Sequence, residues 1–436
     1  MKKAALISLI TCLFIIITTC KKDQTINGIS TFVPCNSPNN TFIDTLNEAI
    51  SPRVIIENNQ GNILILGSHN QHPKVVLLDS NGGFKWAKEY TLYQADPIDI
   101  IEADNNSYLM LSAEQPKFVP KNPITAYSNV WAWANHYLDM NNNCLDFYEL
   151  SSGPFITQGD NISKSYIQKI SDTGNLLWTK EINGNYFPGK AICNKNGNYY
   201  FITYKSYGFV AEPLFDTNNI FQDTIKYPHN KNIITLHKMS SAGVIIWEKD
   251  ITNVIDYAQF HVSNGCDLTL SLSNIFIRSQ RSLYVFDLNG NLISSYNPVS
   301  SYCENITKGM DIDNNAFLYI VGREAYYTTS STYPNTTTYL AKINSLGNIH
   351  WRIDDFIVGN KDHVMTASCQ NGGVIYRDND HDLTKFSSSG NLLWKKSFAG
   401  IWIYCFTITC NNRIVMVNLD QNNEIIVIKT DPSGNY

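Results

Sequence analysis

One short pattern constrains this chain more than anything else in it: a strand, a tight polar turn closed by Gly, three further residues, then Trp. It reads VVLLDSNGGFKWAK at Trp86, IQKISDTGNLLWTK at Trp178 and LHKMSSAGVIIWEK at Trp247. It returns as AKINSLGNIHWRI at Trp351 and TKFSSSGNLLWKK at Trp394. A degenerate copy, YVFDLNGNLISSY, places Ser294 in the Trp slot, and VIKTDPSGNY reaches Tyr436 before a Trp is met. The turn glycines at 82, 174, 243, 290, 347, 390 and 434 are separated by 92, 69, 47, 57, 43 and 44 residues. A period near 44 with occasional insertions matches propeller blades, whose four short strands take about 40–50 residues.

Upstream of each Gly lies a second recurring element, a polar hairpin followed by apolar residues, as in NNQGNILILG (58–67), NKNGNYYFI (194–202) and NNRIVMVNL (411–419). Each unit therefore reads as strand a, tight turn, strand b, loop, strand c, tight turn, and a Trp-bearing strand d. One such sheet cannot cover both of its own faces, whereas blades stacked around an axis cover one another. The expected fold is all-β: a single propeller of seven four-stranded blades. The repeat Trp residues 86, 178, 247, 351 and 394 are expected to pack between blades. The last unit lacks strand d, and residues 41–46 (TFIDTL) are a spare strand that would complete it and remove a sheet edge. The 92-residue gap leaves room for an eighth blade between 115 and 163. That stretch has no Gly-centred turn, however, and NVWAWANHYLDM reads as helical, so an insertion is expected there.

Composition agrees with a folded β protein. Hydrophobic residues make up 43% and aromatics 12%, with 25 Tyr and 20 Phe, which favours strands over helices and excludes global disorder. Only 16% of residues are charged and the net charge is −5. That balance offers no basic field for phosphate backbones, so nucleic acid is not an expected partner.

The first twenty residues read as a targeting segment. Lys2 and Lys3 precede an apolar stretch at 4–17, and Ile17-Thr18-Thr19-Cys20 follows. This resembles a lipobox, which implies cleavage before Cys20 and lipidation of that residue. Residues 21–40 are then a linker and 41–436 the propeller. Lys21-Lys22-Asp23 is similar to the surface-export tag of Bacteroidetes lipoproteins. The resemblance implies a lipid-anchored protein at the outer membrane or cell surface. The other reading is an uncleaved anchor, since the uncharged run 4–20 sits at the lower edge of the roughly 17–25 residues a spanning helix needs. Of the ten cysteines, most are expected to be small buried apolar residues. Cys405 and Cys410 are expected on one strand, facing opposite sides of the sheet.

The Gly-x-x-x-Trp repeat resembles the quinoprotein-like (PQQ-like) propeller superfamily over nearly the whole mature chain. Asp172-Thr173-Gly174 to Trp178 comes nearest to the Asp-x-x-Thr-Gly-x-x-x-Trp turn of its enzymes. The redox members imply a calcium and cofactor site, sometimes with a vicinal disulfide. No vicinal Cys pair stands here, so the resemblance supports fold rather than dehydrogenase activity, and no organic cofactor is expected.

Function is expected on one face. Three insertions, at about 115–163, 205–232 and 324–338, all fall between strands b and c, which places them at the same end of the disc. Loops on a rigid scaffold commonly carry binding, and these are aromatic. Trp131, Trp133 and Tyr137 in the first, Tyr207 in the second, and Tyr326 and Tyr327 in the third are the candidate contacts for a protein or glycan of the cell envelope. Asp378, Asp380 and Asp382 alternate in the short b–c loop of the sixth unit and imitate the start of a calcium loop, without its Gly and distant Glu. No HExxH, GxSxG or Walker-type loop occurs. The expected role is a non-catalytic binding or scaffold lipoprotein. The alternative is an envelope enzyme, polysaccharide-active or quinone-linked, with carboxylates converging at the channel mouth.

Overall fold

The computed structural model describes residues 38–436, apart from segments at 105, 115–116, 123–130, 139–143, 152–157, 163, 184–191, 196, 208–209, 216–220 and 228–230. The other exceptions are 252–266, 272, 279–281, 297–303, 314–315, 327–334, 355–365, 370–371, 378–380, 399–400 and 420–423. Among the described residues there is no helix. Seven four-stranded antiparallel sheets form the blades, and three two-stranded ribbons accompany them. Blades one to six occupy 51–89, 96–183, 192–251, 267–296, 304–354 and 366–397. The seventh takes 405–429 and, as its outermost strand, Phe42–Leu46, which pairs with Ile425–Lys429. The N-terminal strand thus closes the propeller.

Each innermost strand touches the innermost strands of both neighbours. The circuit runs from Ser51–Glu57 through Asp96–Glu102 around to Cys405–Ile408, which returns to Ser51–Glu57. The middle strands are covered on both faces by adjacent blades. Ser107–Ala113 is buried at every position, and Ile63–His69 is buried through its first five residues. Strand d is the rim, and most of its side chains are half-buried or exposed, as in Leu392–Ser397.

The local turn chemistry explains the Gly. In the fourth blade the Asp287 N–H donates to the Asn291 carbonyl at 2.9 Å, and the Gly290 N–H donates to the Asp287 carbonyl at 3.0 Å. The turn leaves Gly290 at φ +80° and slips the ladder by one residue between Val285 and Phe286. This is a hairpin with a left-handed Gly and a bulge, a conformation in which a β-carbon is strained.

Packing supplies the second reason, and it runs round the whole ring. A β-carbon on Gly290 would lie 2.8 Å from the Trp247 ring of the preceding blade. Trp86 covers Gly174, Trp178 covers Gly243 and Trp351 covers Gly390 in the same way, while at Gly434 the Lys396 stem comes nearest, at 3.1 Å, and Trp394 lies at 3.6 Å. Where Ser294 replaces Trp, the ring of Tyr296 two residues later covers Gly347. Where the seventh repeat runs out, Phe42 of the closing strand covers Gly82 of the first blade. Polar bonds follow the same route. Trp351 Nε1 and Lys342 Nζ both donate to the Ser388 carbonyl of the next blade, at 3.0 and 3.2 Å. Trp86 Nε1 donates to the Asp172 carbonyl at 2.8 Å, and Lys385 Nζ to the Pro432 carbonyl at 3.0 Å.

Two expectations are corrected. Trp131–Leu138 is a strand rather than a helix, paired with Cys144–Ser151 in a hairpin. Its Trp-Ala-Trp-Ala alternation has the period of a strand, and its Trp residues favour one. Lys117–Asn122 pairs with Gln158–Ile162, so the described part of this region consists of ribbons, and the ring has seven blades. Cys410 does not share a strand with Cys405: the strand is Cys405–Ile408, and Cys410 lies in the turn beyond it. Cys405 and Cys369 are buried free thiols. Cys410 is disulfide-bonded, to a cysteine whose side chain is outside the described set.

Candidate binding face

In a meander, successive turns alternate between the two ends of the sheet. The a–b and c–d turns therefore share one face of the disc, and the b–c and d–a connections share the other. The chain enters on the turn face. Arg413, from the a–b turn of the seventh blade, donates to the Asn40 carbonyl at 3.1 Å. Asn40 in turn reaches Asn81 in the c–d turn of the first blade at 3.2 Å.

The opposite face carries the elaborations. Strand register puts Trp131, Trp133, Asn135 and Tyr137 on one side of their ribbon, opposite Ser151, Glu149, Phe147 and Leu145. The second ribbon, Val210–Phe215 with Phe221–Tyr227, grows from the b–c connection of the third blade. Cys144–Ser151 lies beside Val210–Phe215, and Gln158–Ile162 beside Asn198–Tyr207. The structure thus brings the insertions of blades two and three together. Tyr207 ends its strand paired with Lys231. Tyr326 is in the fifth blade, paired with Asn335, with the whole fourth blade between it and the other two insertions. Tyr327 lies outside the described residues.

The calcium-like loop is only partly visible: Asp378 and Asp380 fall outside the described residues. Asp382 opens strand c of the sixth blade, with its carboxylate 3.7 Å from Lys395 Nζ. Among the described residues, no group of three His, Cys, Asp or Glu side chains could hold a metal. Cys20 also lies outside the described residues, and no described helix is long and apolar enough to cross a membrane.

Three carboxylates on the innermost strands, Asp99, Asp311 and Glu57, are committed to the scaffold. Asp99 accepts from the Ile100 N–H at 2.9 Å and, across the blade boundary, from the Ile192 N–H at 3.3 Å. Asp311 repeats the device, accepting from the Ile312 N–H at 2.9 Å and the Ser368 N–H at 2.7 Å. Glu57 lies 3.6 Å from Lys429, both buried, and accepts from the Cys410 N–H at 3.1 Å. Burial holds the Lys429 ammonium below its ordinary pKa despite that partner. The free thiols are no better suited to chemistry: burial pushes Cys369 up to about 11 and Cys405 up to about 12.

Two residues of the loop face stand outside both the repeat and its insertions. Trp402 and Tyr404 are exposed in the d–a connection between blades six and seven, on either side of buried Ile403. The signal that marks them is the alternation Ile401-Trp402-Ile403-Tyr404, which turns two large aromatics outward. Tyr404 lines an open cleft of about 660 Å³ where the seventh blade meets the first.

No family model matches the chain, and no curated protein matches it. Solved structures do resemble it. BamB from Moraxella catarrhalis aligns over 92% of this chain and 95% of its own, at 11% identity and a TM-score of 0.41. The WD40 domain of Neurospora crassa Pan2 aligns over 91% and 97%, at 9% identity and a TM-score of 0.49. The AfRom2 CNH domain aligns over 90% and 99%, at 10% identity and a TM-score of 0.47. These likenesses concern the overall fold.

Proposed function

We propose that this protein is a non-catalytic binding or scaffold lipoprotein of the bacterial envelope, anchored through Cys20 at the outer membrane or cell surface, which captures a protein partner on its loop face. The observation that carries the reading is the inequality of the two faces. The turn face repeats one design with little room for a ligand-specific surface. The loop face gathers ribbons from two neighbouring blades, one of them with Trp131, Trp133 and Tyr137 on a single side. Rigid aromatic side chains on a β scaffold make effective anchors, because little conformational entropy is lost on binding.

The anchor and the binding face are compatible. Asn40 sits on the turn face, opposite the insertions. A disulfide at Cys410 suits an oxidising compartment outside the cytoplasm. The engagement of Asp99 and Asp311 by backbone N–H groups supports binding over acid–base chemistry at the channel.

The test is capture of envelope proteins by the lipidated chain, alongside a chain in which residues 115–163 are replaced by a short turn. Loss of the captured partner with an unchanged melting temperature is expected. Undiminished capture by the shortened chain overturns the reading. Cys20→Ser is expected to move the protein from the membrane fraction to the soluble one; continued membrane association refutes the lipid anchor.

A further inference from the structure

The segment from Ile401 to Cys405 exposes Trp402 by 54% and Tyr404 by 36% while burying Ile403 between them. Its backbone is held from four directions. Arg377, itself buried, donates to the carbonyls of Ile403 and Tyr404, the second at 3.2 Å. The Trp402 N–H donates to Asn418 Oδ1 at 2.9 Å, and the Tyr404 N–H to the Val417 carbonyl at 2.9 Å. His381 Nδ1 donates to the Ile401 carbonyl at 2.6 Å, and its ring meets Trp402 edge-on, 5.6 Å between centroids at 86°. Trp402 is turned toward His381 of the sixth blade, and Tyr404, two residues on, lines the cleft against the first blade. The backbone beneath both rings is thus fixed, and the contact with His381 also restrains the Trp402 ring, which lowers the ordering cost of binding there.

The cleft beside this segment has matching chemistry. It is lined by Tyr404, by apolar Ile50 and Leu419, and by Glu48, Asn70 and Glu424 among its polar groups. Its volume falls within the range of small-molecule sites, about 300–1,000 Å³. The basic groups at hand are already paired: His69, which lines the cleft, with Glu89 at 2.8 Å, and Lys74 with Glu48 at 2.8 Å and the Ala49 carbonyl at 3.1 Å. What faces the cleft is thus an aromatic ring, amides, serine hydroxyls, carboxylates and a carboxylate-paired imidazole, a set that accepts hydrogen bonds from hydroxyls and, among the described residues, offers an anion no unpaired cation. Interface cores that bind proteins are depleted in such carboxylates. Glu48 is already neutralised by Lys74, which weakens the pull on a basic peptide.

We infer that Trp402, Tyr404 and the cleft between the last and first blades form a binding site for an uncharged saccharide chain. Pyranose rings would lay their C–H faces on Tyr404 in the cleft and, farther along the saccharide, on Trp402 outside it, while their hydroxyls donate to the amide and carboxylate oxygens of the cleft. The site is separate from the insertion ribbons and does not depend on the protein-capture reading.

The experiment titrates the intact folded protein calorimetrically with cellohexaose, chitohexaose and maltohexaose, and with hexagalacturonate as the acidic counterpart. At least one neutral hexaose is expected to bind and the acidic one is not. Trp402→Ala and Tyr404→Ala should each weaken binding about tenfold, the loss of one aromatic anchor. Tyr404→Phe and the chain lacking 115–163 should bind as before, which separates this site from the protein-capture face. Because both aromatics are exposed, the Ala variants should keep the parent melting temperature. Failure of all three neutral hexaoses to bind overturns the proposal, as does equal binding by the double Ala variant. Preference for a lysine- and arginine-rich peptide over every hexaose also overturns it, in favour of a basic peptide.

Discussion

The two faces of the disc are built on opposite principles. On the turn face every c–d hairpin repeats one solution, a left-handed Gly beneath an aromatic ring of the preceding blade. Each blade fixes the position of the next, so a change in one turn is felt at two blades. On the loop face the connections answer to no neighbour in that way. They range from two turn residues between His69 and His72 to the paired ribbons of the second blade. Stability is thus concentrated on one face, and the other is left open to variation. This separation is what allows a rigid scaffold to carry different binding surfaces.

Four measurements would break or sharpen that contrast. The largest effect is expected from Gly290→Val, which puts a branched side chain at φ +80° and 2.8 Å from the Trp247 ring. Strain and overpacking together should cost about 3–5 kcal/mol in urea unfolding. A cost below about 1 kcal/mol would mean that the turns are not the latches between blades. Next is Cys410→Ser, which opens a disulfide on the turn face. About 2–4 kcal/mol should be lost, and adding reductant to the parent protein should reproduce the loss.

A smaller, pH-dependent effect is expected at Asp104, in the a–b turn of the second blade. Burial alone would raise its carboxyl, but hydrogen bonds from Lys169 and Tyr199, together with the Lys169 charge, hold it below the ordinary value. A carboxylate with a depressed folded pKa contributes its full stability above the unfolded value of about 3.9, and loses it as the pH falls through the folded one. Asp104→Asn should therefore flatten the acid limb of the stability profile below about pH 4. An unchanged limb would show that the Lys169 contact adds nothing. The smallest effect belongs to the loop face: replacing 115–163 by a short turn should change stability by less than about 1 kcal/mol. A larger loss would show that the ribbons are part of the scaffold.

The repeat itself was enough to determine the propeller and its closing strand, and it favoured seven blades, while strand pairing in 115–163 decided against an eighth. Gly at a left-handed turn is a local requirement repeated seven times, and with Trp four residues later in five copies it leaves a period that can be read directly. The same pattern did not show that Tyr296 and Phe42 stand in for the missing Trp residues. Their rings reach the Gly from other strand positions, and only the docking of one blade on the next reveals it. The Trp131 segment was misread because a short aromatic run with Ala suits either a helix or a strand until its partner, Cys144–Ser151, is known. Trp402 and Tyr404 were legible only as two aromatics near a cysteine. The buried Arg377 that fixes them comes from the blade before, and the cleft beside them exists only where the last blade meets the first. Sequence determined what each blade must do for itself, because turn geometry and strand period are properties of neighbouring residues. Closure of the ring decided the rest, because it brings together residues nearly the whole chain apart, such as Glu57 and Cys410.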